Sequence, residues 1–300
     1  MTGMASPHVQ ETVQLIRRIL DDAGMEGSLS AAVHGRPDLG RISLAPDRVL
    51  PTASLYKLPL VLAFVRAWDA GRIDPREQVR LEPWERTRGA TGLSVLLDAV
   101  TMSWRDLARQ SVAVSDNAAG DALLRRLGEQ EMRCALEHVG APSTRIRGGA
   151  GLTLDLLAAE QGAEVLDPAD AHVGPESSAL DPERVNVTTA ADMLALVESI
   201  WADRAASPRG CAFVREVLGQ QVWAHRFAGA FSYPGVSLAA KTGSLGPLRH
   251  EVGVVVHRGE APVMISVLTR SARRDPVVPR ADEAVGAVAY EAVQLLRQFL

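Results

Sequence analysis

The chain has 300 residues, of which 47% are hydrophobic and 23% are charged, and its formal net charge is −4. This composition is typical of a globular protein with a large core, and it excludes the collagen-like, coiled-coil and disordered classes. A slightly acidic chain offers no electrostatic surface for nucleic acid, and no apolar run approaches the length of a membrane span. We therefore expect neither a nucleic-acid partner nor a membrane partner.

The first 24 residues predict an amphipathic helix rather than an export signal. Apolar residues recur at helical spacing over residues 9–23, and Gly24 ends the pattern. Charged residues interrupt the segment, which also lacks the small-residue cleavage site of a secretory signal. The chain's two cysteines, Cys134 and Cys211, are too few for a disulfide framework and are expected to be buried. These features predict a cytoplasmic protein.

The predicted elements change in character along the chain. Residues 28–34 and 41–45 read as two strands joined by a turn rich in Gly and Pro. A period of 3.6 residues then predicts helices over residues 54–70, 104–114, 117–127, 129–139, 152–160, 188–201 and 211–218. After Pro234, runs rich in β-branched residues predict strands over 236–240, 252–257 and 263–269, and residues 281–300 predict a closing helix.

This order predicts an α+β fold, with a five-stranded antiparallel sheet flanked by N- and C-terminal helices beside an all-helical domain. We assign residues 1–52 and 187–300 to the sheet domain and residues 53–186 to the helical domain. The helical domain includes an enlarged loop, residues 148–187, rich in Gly, Pro, Asp and Glu. A cleft between two such domains is the expected place for a site.

Ser54 and Lys57 lie three residues apart at the junction between a predicted strand and the helix that follows it. Their side chains share one face of a helix that begins near Ser54. A lysine amine there can take the proton of the serine hydroxyl once its pKa is lowered by burial or by a neighbouring cation. The helix N-terminus also favours negative charge on an attacked carbonyl. Alone, the pair is a weak signal and is better explained by an N-cap serine and a solvated lysine.

Two further motifs make the pattern specific. Ser115-Asp116-Asn117 lies at the joint between two predicted helices, and Lys241-Thr242-Gly243 follows a predicted strand. Each motif also has a purely structural interpretation: Ser-Asp-Asn can cap a helix, and Lys-Thr-Gly can end a strand at a turn. With Ser-x-x-Lys, Ser-Asp-Asn and Lys-Thr-Gly in this order, the chain resembles the class A β-lactamases and their penicillin-binding relatives. The resemblance covers most of residues 27–147 and 186–270.

The resemblance implies a role for each catalytic residue. Ser54 would be the nucleophile, with Lys57 as the group that orients and deprotonates it, directly or through a water. Ser115 would relay a proton toward the leaving nitrogen, and Lys241 would lie close enough to lower the pKa of both Ser115 and Lys57. No metal ion and no cofactor are needed for this chemistry.

The resemblance also implies a substrate site. Asn117 would bind the amide side chain of the substrate, and Lys241 with Thr242 would engage a carboxylate. Backbone N–H groups of Ser54 and Ser244 would form the oxyanion hole. Gly243 would leave the strand edge open for backbone and ligand to approach, and Arg249 would either add a second positive charge or be a solvated loop arginine.

The sequence departs from the family at the glutamate that activates the deacylating water. The position six residues after Thr144, where that glutamate is expected, is Ala150, and no Glu-x-x-Leu-Asn segment occurs. Glu160, Glu164 or Glu176 could supply the base from a remodelled loop, and we take Glu160 as the candidate. Otherwise deacylation is slow or uses an acceptor other than water.

The leading hypothesis is a serine hydrolase of the class A β-lactamase type, in which a β-lactam, amide or ester acylates Ser54 and the acyl-enzyme is hydrolysed. Its partner would be a small molecule that carries a carboxylate. One alternative is a cytoplasmic esterase or biosynthetic acyltransferase with slow or water-independent deacylation. Another is a sensor that binds β-lactams without turnover.

Overall fold

A computed structural model of the chain describes residues 7–162, 173–174, 176–273, 275 and 277–300. The helices are α1 Pro7–Asp22, α2 Lys57–Asp69, α3 Trp104–Ala113, α4 Asn117–Val139, α5 Ala150–Gln161, α6 Ala190–Trp201, α7 Pro208–Leu218, α8 Phe227–Ala230 and α9 Pro279–Arg297. The strands are β1 Met25–Val33, β2 Arg41–Leu44, β3 Leu50–Pro51, β4 Gln78–Leu81, β5 Val100–Ser103, β6 Val187–Thr188, β7 Val236–Leu245, β8 Leu248–His257 and β9 Val263–Ser271.

The main sheet has five strands in the order β2-β1-β9-β8-β7, and every neighbouring pair is antiparallel. Alternate residues of each strand face opposite sides of the sheet. Along β9, Val263, Ile265 and Val267 pack with α1 and α9, whereas Met264 and Leu268 pack with α2 and α6. The predicted α+β class and the five-stranded antiparallel sheet between terminal helices are confirmed, and β7 forms one edge of that sheet.

Helix α2 runs through the middle of the core. Every residue from Lys57 to Val65 is buried, which is typical of a helix that is apolar on all sides and surrounded by other elements. Its first residue is therefore a lysine with no access to bulk water. The same helix continues from the turn that carries Ser54, so burial of α2 fixes that turn.

Several predicted boundaries differ from the structure by a few residues, and the short elements β3, β4, β5, β6 and α8 were not predicted. Three of the differences have a clear physical reason. The helix predicted from residue 54 begins at Lys57, after a 3₁₀ turn over Ala53–Tyr56. The strand predicted over 236–240 continues to Leu245, because the two-residue Gly246-Pro247 turn pairs Leu245 with Leu248. The two helices predicted on either side of Gly128 form α4, interrupted by non-helical backbone at that glycine, where φ is +73°.

The short β3 strand pairs with β6, and this ladder brings the two predicted domain boundaries side by side. The division into two domains remains a prediction. Cys211 is buried, but Cys134 is only half-buried, because it lies on the outer side of α4 beside Gln130. Within the residues that the structure describes, no helix combines the length and apolar character required to cross a bilayer.

The ends of the loop predicted as enlarged are tied together by Asn186. Its Oδ1 accepts hydrogen bonds from the amides of Arg147 (2.7 Å) and Gly148 (3.1 Å), and its Nδ2 donates to the Gly148 carbonyl (2.7 Å). Backbone hydrogen bonds of 3.0 Å in each direction also join Arg145 to Val187. We call these contacts the loop neck.

Candidate active site

Ser54 is presented by a 3₁₀ turn that is held from both sides. Thr52 donates its backbone N–H to the Asn186 carbonyl at 2.8 Å, and Leu55 donates back to Thr52 at 3.0 Å. Ala53, just before the serine, has φ of +45°, a left-handed conformation that a side chain makes unfavourable by about 1 kcal/mol. The buried Leu55 and Tyr56 hold this conformation and leave Ser54 half-exposed.

Lys57 joins the first motif to the second. Its Nζ, fully buried, donates to the Ser115 carbonyl at 2.6 Å and to Asn117 Oδ1 at 2.8 Å, and it lies 3.4 Å from Ser115 Oγ. Asn117 also donates from Nδ2 to the Arg88 carbonyl at 3.0 Å. The lysine and the amide therefore hold each other in place.

Lys241 brings the third motif to the same point. Its Nζ donates to Ser115 Oγ at 3.1 Å and to its neighbour's carbonyl, Thr242 O, at 2.8 Å. Burial, followed by the positive charge that Lys57 carries when it is protonated, lowers the pKa of the Lys241 amine well below its ordinary value. Ser115, with φ of +61°, thus places its hydroxyl between two buried lysine side chains.

Asp116, the middle residue of the second motif, shapes the backbone. It is fully buried and caps α4 by accepting from the amides of Ala118 (3.0 Å) and Ala119 (3.3 Å). It also accepts from the Leu93 amide at 2.6 Å and from Ser94 Oγ at 3.0 Å. Its carboxylate thus ties the loop over residues 92–95 to the start of α4.

Gly243 lets the edge strand lie against the turn that carries Ser54. A Cβ at this position would stand 2.9 Å from the Thr52 carbonyl oxygen and 3.1 Å from Leu55 Cγ. The first contact is closer than a Cβ atom tolerates and the second is tight, so a side chain here would push β7 away from the backbone at Thr52. The open strand edge predicted here therefore accommodates the protein's own backbone.

Arg226 is a site residue that the sequence did not reveal. It is 2% exposed and donates from Nη1 to the carbonyls of His250 (2.7 Å) and Gly243 (3.3 Å). Its Nη2 donates to Ser244 Oγ at 2.6 Å and its Nε to Asp282 Oδ1 at 2.7 Å. One buried guanidinium thus links the edge strand to the first turn of α9.

Arg249 lies in β8 opposite Ser244 and is 3% exposed, so the solvated loop arginine that we left open is excluded. Its Nη1 donates to the carbonyls of Gly246 (2.5 Å) and Leu248 (2.8 Å). Its Nε lies 3.7 Å from Asp282 Oδ1. Burial and the neighbouring Arg226 cation lower the pKa of the Arg249 guanidinium.

Thr242 is held by a chain of polar side chains. Its backbone N–H (2.6 Å) and its hydroxyl (3.1 Å) both donate to Gln221 Oε1, and Gln221 Nε2 donates to Glu251 Oε1 at 3.1 Å. Glu251 also accepts from the Phe227 amide at 2.7 Å. Burial raises the pKa of the Glu251 carboxyl to about 7.

These residues surround a cleft of about 600 Å³. Its polar lining comprises Ser54, Thr91, Ser115, Asn117, Thr242, Ser244, His225, Arg226, Arg249, Asp282 and Glu283, and its apolar lining comprises Ala90, Val114, Trp223, Val277 and Pro279. The structure therefore collects Ser54, Ser115, Asn117, Thr242, Ser244 and Arg249 on one cleft, with the buried Lys57 and Lys241 amines behind them.

A second cavity of about 40 Å³ lies on the other side of Ser54, bordered by Tyr56, Asn117, Ala150 and Asn186. It has room for ordered water and polar groups to hold it. Ala150 begins α5, where Asp121 accepts from the Ala150 amide (2.7 Å), the Gly151 amide (2.8 Å), Thr87 Oγ1 (2.7 Å) and the Tyr56 hydroxyl (3.2 Å). Among the described residues that line this cavity, none is a carboxylate.

Glu160, the candidate deacylation base, lies at the exposed C-terminal end of α5 and outside the lining of both cavities. It accepts from Ser177 Oγ at 2.8 Å and from the Ser178 amide at 2.5 Å. These hydrogen bonds, of which the one from the Ser178 hydroxyl has the largest effect, lower the pKa of its carboxyl. Hydrogen bonds to residues of its own loop therefore hold the Glu160 carboxylate. Glu176, the second alternative, is exposed. Glu164 lies outside the described residues.

Comparison with known proteins agrees with this arrangement. Residues 11–296 match the model of the beta-lactamase enzyme family. A beta-lactamase regulatory protein of Streptomyces cacaoi, BlaB, is 31% identical, over 95% of this chain and 97% of that protein. The structure of PBP-A has a TM-score of 0.78 at 19% identity and covers 98% of this chain and 97% of its own. A beta-lactamase from Sphaerobacter thermophilus has a TM-score of 0.77 at 20% identity, with 97% of both chains covered. The resemblance seen in the three motifs is confirmed.

Proposed function

The chain belongs to the beta-lactamase enzyme family, and on that basis we propose that it forms an acyl-enzyme at Ser54 from a small-molecule lactam, amide or ester. One observation carries this proposal. Ser115 Oγ lies 3.1 Å from Lys241 Nζ and 3.4 Å from Lys57 Nζ, in the cleft that exposes Ser54. A binding site has no need of a hydroxyl between two buried amines, whereas a proton relay does.

Acylation follows from the positions of these groups. Ser54 Oγ attacks the carbonyl carbon of the donor while its proton passes to the neutral Lys57 amine. The bond from the carbonyl carbon to the leaving nitrogen or oxygen then breaks. The leaving atom takes the Ser115 proton, and the lysine pair returns one to Ser115, so that protons balance. The lowered pKa of Lys241 suits it to such an exchange.

The negative charge on the attacked oxygen would be met by the backbone N–H groups of Ser54 and Ser244. Each donor of this kind stabilises the transition state by about 3 kcal/mol. The close approach of β7 to the Ser54 turn, permitted by Gly243, supports this pairing, because both residues line the same two cavities.

Deacylation has weaker support. The small cavity beside Ser54 suits a water molecule, but its wall at the expected glutamate position is Ala150. We therefore propose slow loss of the acyl group, by water or by another acceptor. The same feature favours a second candidate function, a sensor whose acyl-enzyme is its signal. The 31% identity to a beta-lactamase regulatory protein supports that reading.

The test is a time course of intact-protein mass spectra with a penicillin, a cephalosporin and an activated neutral ester. We expect an adduct with the mass of the acyl group on the parent chain and none on the Ser54→Ala variant. An adduct that decays over many cycles identifies a hydrolase or transferase, and a single stoichiometric burst identifies a sensor. Failure of all donors to label Ser54, or equal turnover by the variant, would refute the proposal.

A further inference from the structure

The groups expected to bind a substrate carboxylate are already occupied by the protein. A guanidinium has five N–H donors, and a bidentate carboxylate needs two of them. Within the described contacts, four of the five donors of Arg226 are engaged, by Asp282, the carbonyls of Gly243 and His250, and Ser244. Arg226 can offer a ligand one N–H at most.

Arg249 is engaged in the same way. Its Nη1 donates to two backbone carbonyls, those of Gly246 and Leu248, and its Nη2 donates to the Asp275 carbonyl at 3.2 Å. Its Nε faces Asp282 at 3.7 Å. Asp282 therefore stands between the two arginines, with His225 Nε2 also 3.8 Å away.

Two features stabilise Asp282 in its position between the two arginines. It lies in the first turn of α9, where the positive end of the helix dipole favours a carboxylate. Its side chain is only 15% exposed, and the Arg226 side chain is 1% exposed. Removing a partner from such a pair leaves a buried charge unmatched, so the pair resists displacement by a ligand.

The Thr242 hydroxyl is committed as well. It donates to Gln221 Oε1 together with its own backbone N–H, and Gln221 is held in that orientation by Glu251. Thr242 Oγ1 can therefore accept a hydrogen bond from a substrate but has no hydrogen left to give to a carboxylate. Lys241 has two of its three donors engaged by Ser115 and Thr242.

We propose that the acyl donor is uncharged on the side of the cleft formed by Thr242, Ser244 and Arg226: an ester, amide or lactam that lacks a carboxylate there. This inference rests on the proposed acylation of Ser54 and departs from the carboxylate predicted from the resemblance. Ser244 Oγ accepts from Arg226, so its own hydrogen can meet a carbonyl or ether oxygen. The apolar lining from Val114 and Trp223 suits a neutral group.

The test compares one acyl donor in charged and neutral forms: benzylpenicillin, its methyl ester and its primary amide. The rate constant for acylation of Ser54 is measured by intact-protein mass spectrometry. We expect both neutral forms to acylate the parent chain about tenfold or more faster than the acid, the size of effect that an unmatched neighbouring carboxylate produces in partly solvated protein.

Asp282→Asn keeps the shape of the side chain and removes its charge. We expect it to raise the rate constant for acylation by the acid, relative to that for acylation by the methyl ester, about tenfold. Glu283→Gln makes the same change of charge at the next residue, which is exposed at the cleft rim, and should leave the acid-to-ester ratio within about threefold.

The outcomes separate the two proposals. If the acid labels Ser54 as fast as the neutral forms in the parent chain, the inference is wrong, whether or not Asp282→Asn folds. If the acid is slow but Glu283→Gln restores it as well as Asp282→Asn does, general repulsion replaces the specific site proposed here. If no form labels Ser54, acylation itself fails and the inference falls with it.

Discussion

The pH dependence of stability offers a sharp test of the interior next to the site. Glu251 and His250 are adjacent on β8 and both fully buried, which disfavours the charged form of each. Burial raises the pKa of Glu251 to about 7 and lowers the pKa of His250 to about 4. Geometry agrees for His250, because Nδ1 accepts from the Thr269 amide at 3.0 Å, which leaves the proton on Nε2 facing the Pro51 carbonyl at 2.9 Å.

The two groups bias stability in opposite directions. Below pH 4.5, the ordinary pKa of a glutamate, Glu251 is protonated in both the folded and the unfolded chain. Between pH 4.5 and about 7 only the unfolded chain releases the proton, so stability falls as pH rises, by about 3 kcal/mol at 1.36 kcal/mol per pH unit. His250 does the reverse between pH 6.5 and about 4, where only the unfolded chain gains a proton. Between pH 4.5 and pH 6.5, where both groups act, their opposite effects on the free energy of unfolding nearly cancel.

The Glu251→Gln variant lacks the titrating carboxyl of Glu251 but keeps the contribution of His250. We expect the free energy of unfolding of the variant, minus that of the parent chain, to rise by about 3 kcal/mol from pH 4.5 to pH 7. Urea unfolding at half-unit pH intervals measures the difference, in which titrations common to both proteins drop out. Glu283→Gln, the same change at an exposed carboxyl, is measured alongside as the control. Parallel curves for Glu251→Gln would refute the reasoning, since they would mean that the carboxyl ionises alike in both states.

Three further outcomes follow from the site. Ala150→Glu places a carboxylate on the small cavity beside Ser54, so the acyl adduct should decay at least about tenfold faster, whereas Ala150→Gln should leave its lifetime unchanged. Asp121→Asn replaces a carboxylate oxygen, which accepts hydrogen bonds, with an NH₂ group that faces the same donors. Urea unfolding should show a free energy of unfolding lower by about 3 kcal/mol. A decrease below about 1 kcal/mol would contradict the hydrogen-bond assignment. Gly243→Ala puts a methyl 2.9 Å from the Thr52 carbonyl oxygen; acylation should slow about tenfold or more as β7 moves from Ser54, and an unchanged rate would show that the strand can yield.

The sequence alone predicted the parts of the site that depend on local pattern. Ser54 and Lys57 are joined by one turn, and Ser115 to Asn117 begin a helix, so their spacing carries their geometry. Lys241 was predicted at the end of a strand and lies inside one, because the Gly246-Pro247 turn lengthens the hairpin. The five strands of the main sheet and the longer helices followed from apolar periodicity, which burial on two sides of one sheet enforces, whereas the short β3, β4, β5, β6 and α8 lack such a pattern and were missed.

The rest depends on contacts distant in sequence. Arg226 and Asp282 are 56 residues apart, and neither stands in a periodic or motif context. Gln221 lies in a connection between α7 and β7, where a polar residue reads as an ordinary loop position. Only the fold reveals that these side chains meet and that Asp282 lies between the two buried arginines.

The loop neck has a consequence for how this protein can change. Asn186 fastens its segment to Gly148, 38 residues away, with bonds that do not involve the residues between. Once such an anchor exists, doubling the intervening length adds only about 0.6 kcal/mol of closure entropy. Insertions and deletions between the anchor points can therefore accumulate without unfolding the protein. Such changes would leave in place the hydrogen bond from Thr52 to the Asn186 carbonyl, which holds the turn that carries Ser54.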